Sequence, residues 1–401
     1  MQRLYSRPMS QVRQPLPDLV RACALFGIAV VNVDYFAHPS MDGLLQRGLA
    51  SPLDRALWWV VATVFLLKSY SLFAMMFGYG FGQQMRAAES QGTRFPGRHA
   101  RRMLGLLLLG LLNAAFLFFG DILVVYSVLG TMLYLFRSKE PRALRRWAFG
   151  FYALQIVIVL LLLLGTLALN MPDNVSTLRE MWAETARVAA EREAGFAAGG
   201  FFTVADTRFG AWAEDFGYLV AFQGPGAMAF ILYGLYAARA GLFDDLEAAR
   251  WSRARRVYLP VGLLLAGLGA WLMSDSAHES DPAFMTGFLL IVIGSPLSSV
   301  GYLGWLAAWL RGGPSPIRDF LGRAGSASLT AYLLQGVLMS WVFSGYGLGW
   351  VGKLGASAYL PVGVIAAVLS LWFVARWRSR HALGPVETVL RRWVYLDRPS
   401  G

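Results

Sequence analysis

Two stretches of this chain leave it almost no choice of solvent. Residues 104–119, LGLLLLGLLNAAFLFF, and 156–169, IVIVLLLLLGTLAL, are apolar on every side and carry no charge. A helix apolar all round belongs either in a large protein core or in lipid. The chain is 56% hydrophobic and only 15% charged, with a mean hydropathy of +0.49. Soluble domains carry about a quarter charged residues, so lipid is the solvent. The alternation of a transmembrane β-barrel is absent, and hydrocarbon requires each segment to bond its own backbone. The expected fold is therefore an all-α integral membrane protein of about ten transmembrane helices.

The ten spans are expected near 19–37, 56–84, 103–119, 122–136, 147–170, 216–238, 257–274, 284–310, 326–344 and 356–376. The second and eighth are long enough to tilt, kink or protrude. Arginines set the orientation. Arg98, Arg101 and Arg102, then Arg142, Arg145 and Arg146, then Arg253, Arg255 and Arg256 fall in alternate connections. The positive-inside rule puts those connections, and both termini, in the cytoplasm. The whole is expected to be one polytopic domain, 1–401, with five spans in 1–170, an outer loop at 171–215, and five more spans in 216–401. The net charge of +12 fits this topology and contact with anionic lipid. No nucleic-acid reading motif accompanies it, so nucleic acid is not expected as a partner.

Cys23 is the only cysteine, which leaves no disulfide framework or thiolate metal site. The basic start, MQRLYSRPMSQVRQP, has no small-residue cleavage site after the apolar run, so the first span is read as retained. In the outer loop, Thr177-Leu-Arg-Glu180 resembles a capping box, and Leu178, Met181, Trp182 and Val188 form an apolar stripe. One expectation there is a helix lying along the interface or over a cavity, ended by GFAAGG at 195–200; the other is a solvated spacer. The distal GPVETVLRRWVY at 384–395 reads as an interfacial amphipathic helix. Val386, Val389, Leu390, Trp393 and Val394 face one way, and Arg391 and Arg392 meet headgroups. No internal repeat of the transporter kind is visible.

Ionisable groups at membrane depth are costly and commonly functional. The first span, DLVRACALFGIAVVNVDYFAH at 18–38, carries Asp18 and Arg21 at its start and Asn32, Asp34 and His38 at its finish. His38 is the one histidine in a polar cluster at such depth. It reads as a general base working near neutral pH or as a structural interfacial group. Lys68 lies about twelve residues, or roughly 18 Å, into the second span. It reads either as a site for a phosphate or carboxylate ligand or as half of an ion pair with Asp34. Tyr70 follows it in KSYSLFAMMFGYGFG. Asp121, at an outer turn, is either a cap for Leu123 and Val124 or a site residue. The ninth span, GRAGSASLTAYLLQG, is unusually polar, and its Tyr332 and Gln335, three apart, share a face. Arg323 there is a candidate for a phosphate and equally a topology marker. The apparent phosphate loop at 347–353 lacks its hydroxyl residue, and GYGFG at 78–82 opens no nucleotide-binding unit. No metal site is expected.

Three blocks of the sequence resemble the YeiB-like family of bacterial inner-membrane proteins, the domain of unknown function 418. They are PDLVRACALFGIAVVNV, then KSYSLFAMMFGYGFG continuing through RRMLGLLLLGLLNAAFLFFGDILVVYSVLG, then GRAGSASLTAYLLQG with GPVETVLRRW. The resemblance implies a multi-pass protein of the bacterial inner membrane. Asn113 stands where many YeiB-like relatives carry histidine. The first helix of that family is in turn similar to transmembrane acyltransferases of the heparan-glucosaminide acetyltransferase and acyltransferase-3 kinds. Those begin with Asp-x-x-Arg-Gly and place a polar residue eleven positions after the arginine. Asp18 and Arg21 match, Ala22 replaces the glycine, and Asn32 holds the eleventh place. In the heparan-glucosaminide type a catalytic histidine follows eleven residues later; His38 follows Asn32 after six.

The resemblance implies an acyl transfer from cytoplasmic acyl-CoA, a co-substrate and not a bound cofactor, to an acceptor hydroxyl or amine at the outer face. His38, Asp34 and Lys68 are the expected catalytic groups. Asp18, Arg21, Asn32, Tyr70, Asp121, Arg323, Tyr332 and Gln335 are the expected binding groups, with Arg21 and Arg323 on the phosphates. The partners are the lipid bilayer and a small-molecule, lipid or glycan acceptor, and the sequence is compatible with a homodimer. The rival readings are a permease or exporter of a small anionic or amphipathic solute and a non-catalytic lipid-binding subunit.

Overall fold

The computed structural model describes residues 14–39, 49–90, 92, 95–276 and 278–395, and every regular element among them is helical. The first half holds α1 (Pro15–Ala37), α2 (Pro52–Val64), α3 (Lys68–Ser90), α4 (Phe95–Phe116), α5 (Leu123–Leu133) and α6 (Pro141–Leu169). Then come α7 (Val175–Ala197), α8 (Phe201–Arg239), the short α9 (Ala249–Arg253), α10 (Leu259–Asp275) and α11 (Pro282–Arg311). The chain closes with α12 (Pro316–Gly325), α13 (Ser328–Phe343), α14 (Ala356–Arg378) and α15 (Pro385–Val394).

Seven helices or near-continuous helix pairs among these residues are long and apolar enough to cross a membrane, and eight if α12 and α13, bent by 84°, count as one. The chain is thus a multi-pass helical membrane protein. Sequence reasoning reads a further crossing in α4 and another in α5 with the short turn that extends it to Phe136.

The first helix is the hub. It packs on α3, α12, α13 and α14, while α3 crosses α8, and α8 and α11 receive α6. Such close crossings need small residues, because lipid tails are as apolar as leucine and offer no hydrophobic drive. At the α3–α8 crossing a Cβ on Gly78 would overlap the Ile231 carbonyl, and one on Gly234 the Met75 carbonyl.

Several of these helices are broken or carry an internal proline, and in three of them a neighbour's side chain repairs the backbone, as hydrocarbon requires. The second expected span parts at residues 65–67, where Leu67 has φ 63°, an uncommon conformation for a non-glycine residue. Of the carbonyls freed at the end of α2, Ala62 O accepts from Lys68 Nζ at 3.0 Å and Val64 O from Tyr302 Oη at 2.8 Å. In α11, Pro296 has no N–H for Val292 O, which accepts instead from Tyr152 Oη at 2.5 Å. In α8, around Pro225, Tyr70 Oη donates to Gln223 O at 3.0 Å and Gly226 N to Gln155 Oε1 at 3.0 Å.

The segment expected as an outer loop carries a helix, which ends at Ala197 before the glycines. Its start differs. The helix begins at Val175 after a 3₁₀ turn, with Asn174 at the N-cap position, so Thr177 lies inside it and caps nothing. The helix expected from 216 begins at Phe201 and runs 39 residues.

A cavity on each side of a buried aspartate

Along α1 the polar residues separate into two places. Near its start, Arg21 Nη1 donates to Asp18 Oδ1 at 2.7 Å, and Asp18 is buried. Arg21 faces a cavity of about 210 Å³, which Arg102 of α4, Gln84 of α3, Tyr126 of α5 and Tyr332 of α13 also line. Eleven residues on, or about 16 Å along the axis, Asn32 lines a second cavity of about 90 Å³ with Tyr35, Tyr70, Gly120, Ile122 and Gln223. The first cavity lies at the arginine-rich end of the bundle and the second toward the opposite end.

Between them stands Asp121. It is fully buried; its Oδ1 accepts from Asn113 Nδ2 at 2.8 Å and its Oδ2 from Val124 N at 2.9 Å. It therefore caps α5, as one of its two readings held, and also binds Asn113 of α4. Gly120 and Ile122 face one cavity and Leu123 the other, so Asp121 sits in the wall between the two. Near it the Tyr126 hydroxyl is buried without a hydrogen-bond partner among the described residues, and the buried Tyr332 hydroxyl lies against Asn113 and the Ile122 backbone. Buried polar groups are ordinarily satisfied, and here the Tyr126 hydroxyl is open near a carboxylate that has no ion-pair partner among the described residues.

The groups expected to be catalytic do not meet at either cavity. Lys68 is fully buried, but its Nζ turns back to Ala62 O and makes no ion pair with Asp34. The ion pair, one of its two readings, is replaced by a helix repair, because the break at 65–67 leaves a carbonyl nearer to hand. Asp34 lines a separate small void of about 20 Å³ with Trp58 and Tyr359, whose polar groups face its carboxylate. His38, just past the end of α1, bonds Leu354 O through Nε2 at 3.0 Å and has Glu193 of α7 at 3.8 Å from Nδ1. With Gly352 N on Ala37 O at 2.8 Å, these contacts fasten the end of α1 to the loop before α14.

The binding candidates divide too. Arg21, Tyr332, Asn32 and Tyr70 line the two cavities, although Tyr70 Oη is committed to the α8 repair. Gln335 parts company with Tyr332: buried, it donates to Leu25 O at 3.3 Å and Ser370 Oγ at 3.2 Å. Arg323 is exposed on α12 and lines neither cavity; Arg102 occupies the place foreseen for it.

Sequence reasoning missed Arg102, read only as a topology marker, and Glu387, whose carboxylate caps α13 from another helix. It also missed Arg208. This arginine lies in a stretch read as loop, yet it is buried and donates to Phe116 O at 2.6 Å, Ser340 Oγ at 3.0 Å and Ser344 Oγ at 2.9 Å. A cation there suits the carbonyl end of α4.

This geometry defines a polytopic helical membrane protein with polar chemistry gathered inside its bundle. The comparisons make the class particular. Residues 237–397 match the family described as "Protein of unknown function (DUF418)". The chain is 25% identical to the uncharacterized protein YxaH of Bacillus subtilis (strain 168), over 95% of its own length and 94% of that protein's. It is 23% identical to the uncharacterized protein YeiB of Escherichia coli (strain K12), over 94% of each chain. No solved structure matches it. The C-terminal part of the chain thus matches the DUF418 model, and nearly its whole length is homologous to YxaH and YeiB, in line with the resemblance of its sequence blocks.

Proposed function

We propose that this protein is a transmembrane acyltransferase of the bacterial inner membrane, with ten crossings and both termini in the cytoplasm. The observation that carries the reading is the pair of cavities walled apart by one buried carboxylate. In this reading acyl-CoA enters the larger cavity from the cytoplasm, with Arg21 and Arg102 on its phosphates. Guanidinium suits phosphate because it can bond it bidentately and stays charged. The acceptor reaches the smaller cavity from the outer side, past Asn32.

The transfer joins the acceptor oxygen or nitrogen to the thioester carbonyl carbon and breaks the carbon–sulfur bond. Asp121 takes the proton from the acceptor and returns it to the departing thiolate, while the Tyr126 and Tyr332 hydroxyls, which line the cavity, face the carbonyl oxygen as charge develops on it. Donors placed in advance for an oxyanion are typically worth ~10²–10³ in rate. His38, Asp34 and Lys68 then hold the frame without touching the reacting atoms.

Purified protein in nanodiscs, given radiolabelled acetyl-CoA and a panel of hydroxyl and amine acceptors, should transfer label. Asp121→Asn keeps the side chain's size and should lower the rate by at least about 10², while His38→Gln should keep most of it. Full transfer by Asp121→Asn would overturn the assignment of the base. Solute flux in proteoliposomes without acyl transfer would favour a permease.

A further inference from the structure

The larger cavity has an imbalance of charge. Both Arg21 and Arg102 line it; Arg21 is paired with Asp18 at 2.7 Å, which leaves Arg102, and Glu387 of α15 is the one carboxylate in the lining. Glu387 pairs with neither. Its Oε1 accepts from Leu329 N at 2.8 Å and Thr330 N at 3.1 Å, and its Oε2 from Thr330 Oγ1 at 2.5 Å. These N–H groups belong to the first turn of α13, which has no side-chain cap of its own. Arg102 lies over the Phe77 ring at 5.4 Å and has no hydrogen bond or ion pair among the described residues. A further buried group of the same cavity, the Tyr126 hydroxyl, has no hydrogen-bond partner among the described residues.

A helix N-terminus is an anion seat, since its N–H groups point outward and the helix dipole favours negative charge. Here the seat is taken by a carboxylate delivered from a separate element. That element is anchored mainly at its far end. Beyond Glu387, α15 meets α13 through Val386 N to Thr330 Oγ1 at 3.1 Å, while Trp393 Nε1 to Arg101 O at 2.8 Å, Arg101 Nε to Val394 O at 3.1 Å and Leu390 against Gly105 hold it to α4. We propose that the cavity takes a phosphoryl group, and that Glu387 holds that group's place on α13 until it is displaced. A phosphoryl group has one more acceptor oxygen than the carboxylate. It can keep the two N–H groups and reach a guanidinium as well, which Glu387 does not do. When it binds, α15 is released from α13 and the cavity opens beneath it.

This rests on reading the cavity as the donor's entrance. Inorganic pyrophosphate carries no acyl group, so its binding is tested independently of the transfer reaction, and either can fail alone. The probe is pyrophosphate titrated calorimetrically into the full-length protein in phosphatidylcholine nanodiscs. Glu387→Gln should bind it roughly tenfold tighter than wild type, the gain expected when a latch closed nine-tenths of the time is removed. Arg102→Gln, which leaves the latch alone, should weaken binding at least about tenfold. If Glu387→Gln folds and binds no tighter, or Arg102→Gln binds as wild type does, the proposal fails.

Should Glu387→Gln not fold, cysteines at Gly105 and Leu390 in a Cys23→Ser background give a second route. Cross-linking them should abolish binding and reduction should restore it; equal binding in both forms overturns the latch. Phosphatidylglycerol nanodiscs separate the sources of the phosphoryl group. Competition with pyrophosphate supports the site and assigns it to a lipid headgroup, and binding undiminished there supports a soluble phosphate ester.

Discussion

The first and sixth helices look alike as sequence and behave as opposites in the structure. Both have membrane length, with hydropathies of 1.7 for α1 and 2.5 for α6. Yet 72% of the membrane-length stretch of α1 is buried inside the protein, against 17% of that of α6. The more apolar helix is the less buried one. In water that order would be perverse. In a bilayer lipid covers apolar surface at no cost, and the interior goes to helices with small residues to pack and polar groups to satisfy. In such a chain hydropathy finds the spans, and the polar exceptions find the inside.

The comparison breaks if a glycine on the hub is as replaceable as one on the rim. At Gly325 of α12 a Cβ would overlap the Asp18 carbonyl of α1, whereas at Gly165 of α6 nothing lies within 4 Å. Gly325→Val is expected to lose more than about 3 kcal/mol, since backbone must move to make room. Gly165→Val should keep the monodisperse peak and melting temperature of the parent. Equal loss of folded protein in the two would end the distinction.

Smaller, and aimed at the polar interior, is Arg208→Leu. It removes three hydrogen bonds and leaves Phe116 O without this donor, an expected loss of roughly 2–4 kcal/mol. A shift of a degree or less in thermal melting would show that this guanidinium is not holding α4, α8 and α13 together. The smallest effect belongs to Leu161 of α6, 61% exposed to the lipid side. Leu161→Ala should cost under about 0.5 kcal/mol, where a buried core leucine would lose 2–5.

Much of the candidate site was legible before any coordinates. Asp18, Arg21, Asn32, Asp121 and Tyr332 stood out because polar groups in apolar spans are conspicuous, and all five stand in or beside the two cavities. Depth along a helix is a poor guide to partnership. Lys68 and Asp34 match by charge and level, but the broken helix offers Lys68 the Ala62 carbonyl. His38 is conspicuous in the sequence as the lone deep histidine, and in the structure its ring meets Leu354 O at the end of its helix. Arg102 and Glu387 were hidden for the opposite reason. Each lies in a basic or amphipathic segment where a charge needs no explanation, and only the folding of α15 across α13 and α4 gives them a cavity to face.

The sequence alone determined the solvent, the helical class and the resemblance to DUF418 proteins, because these depend on composition and on order along the chain. Runs of leucine and valine cannot be hydrated, and hydrocarbon leaves an isolated segment only the helix. Tertiary structure decided which polar groups meet. That depends on where helices break, how close glycines let them come, and which side chain arrives first at an orphaned carbonyl. Hydrogen bonds act within about 3 Å, a distance set between helices far apart in sequence and invisible along any one of them.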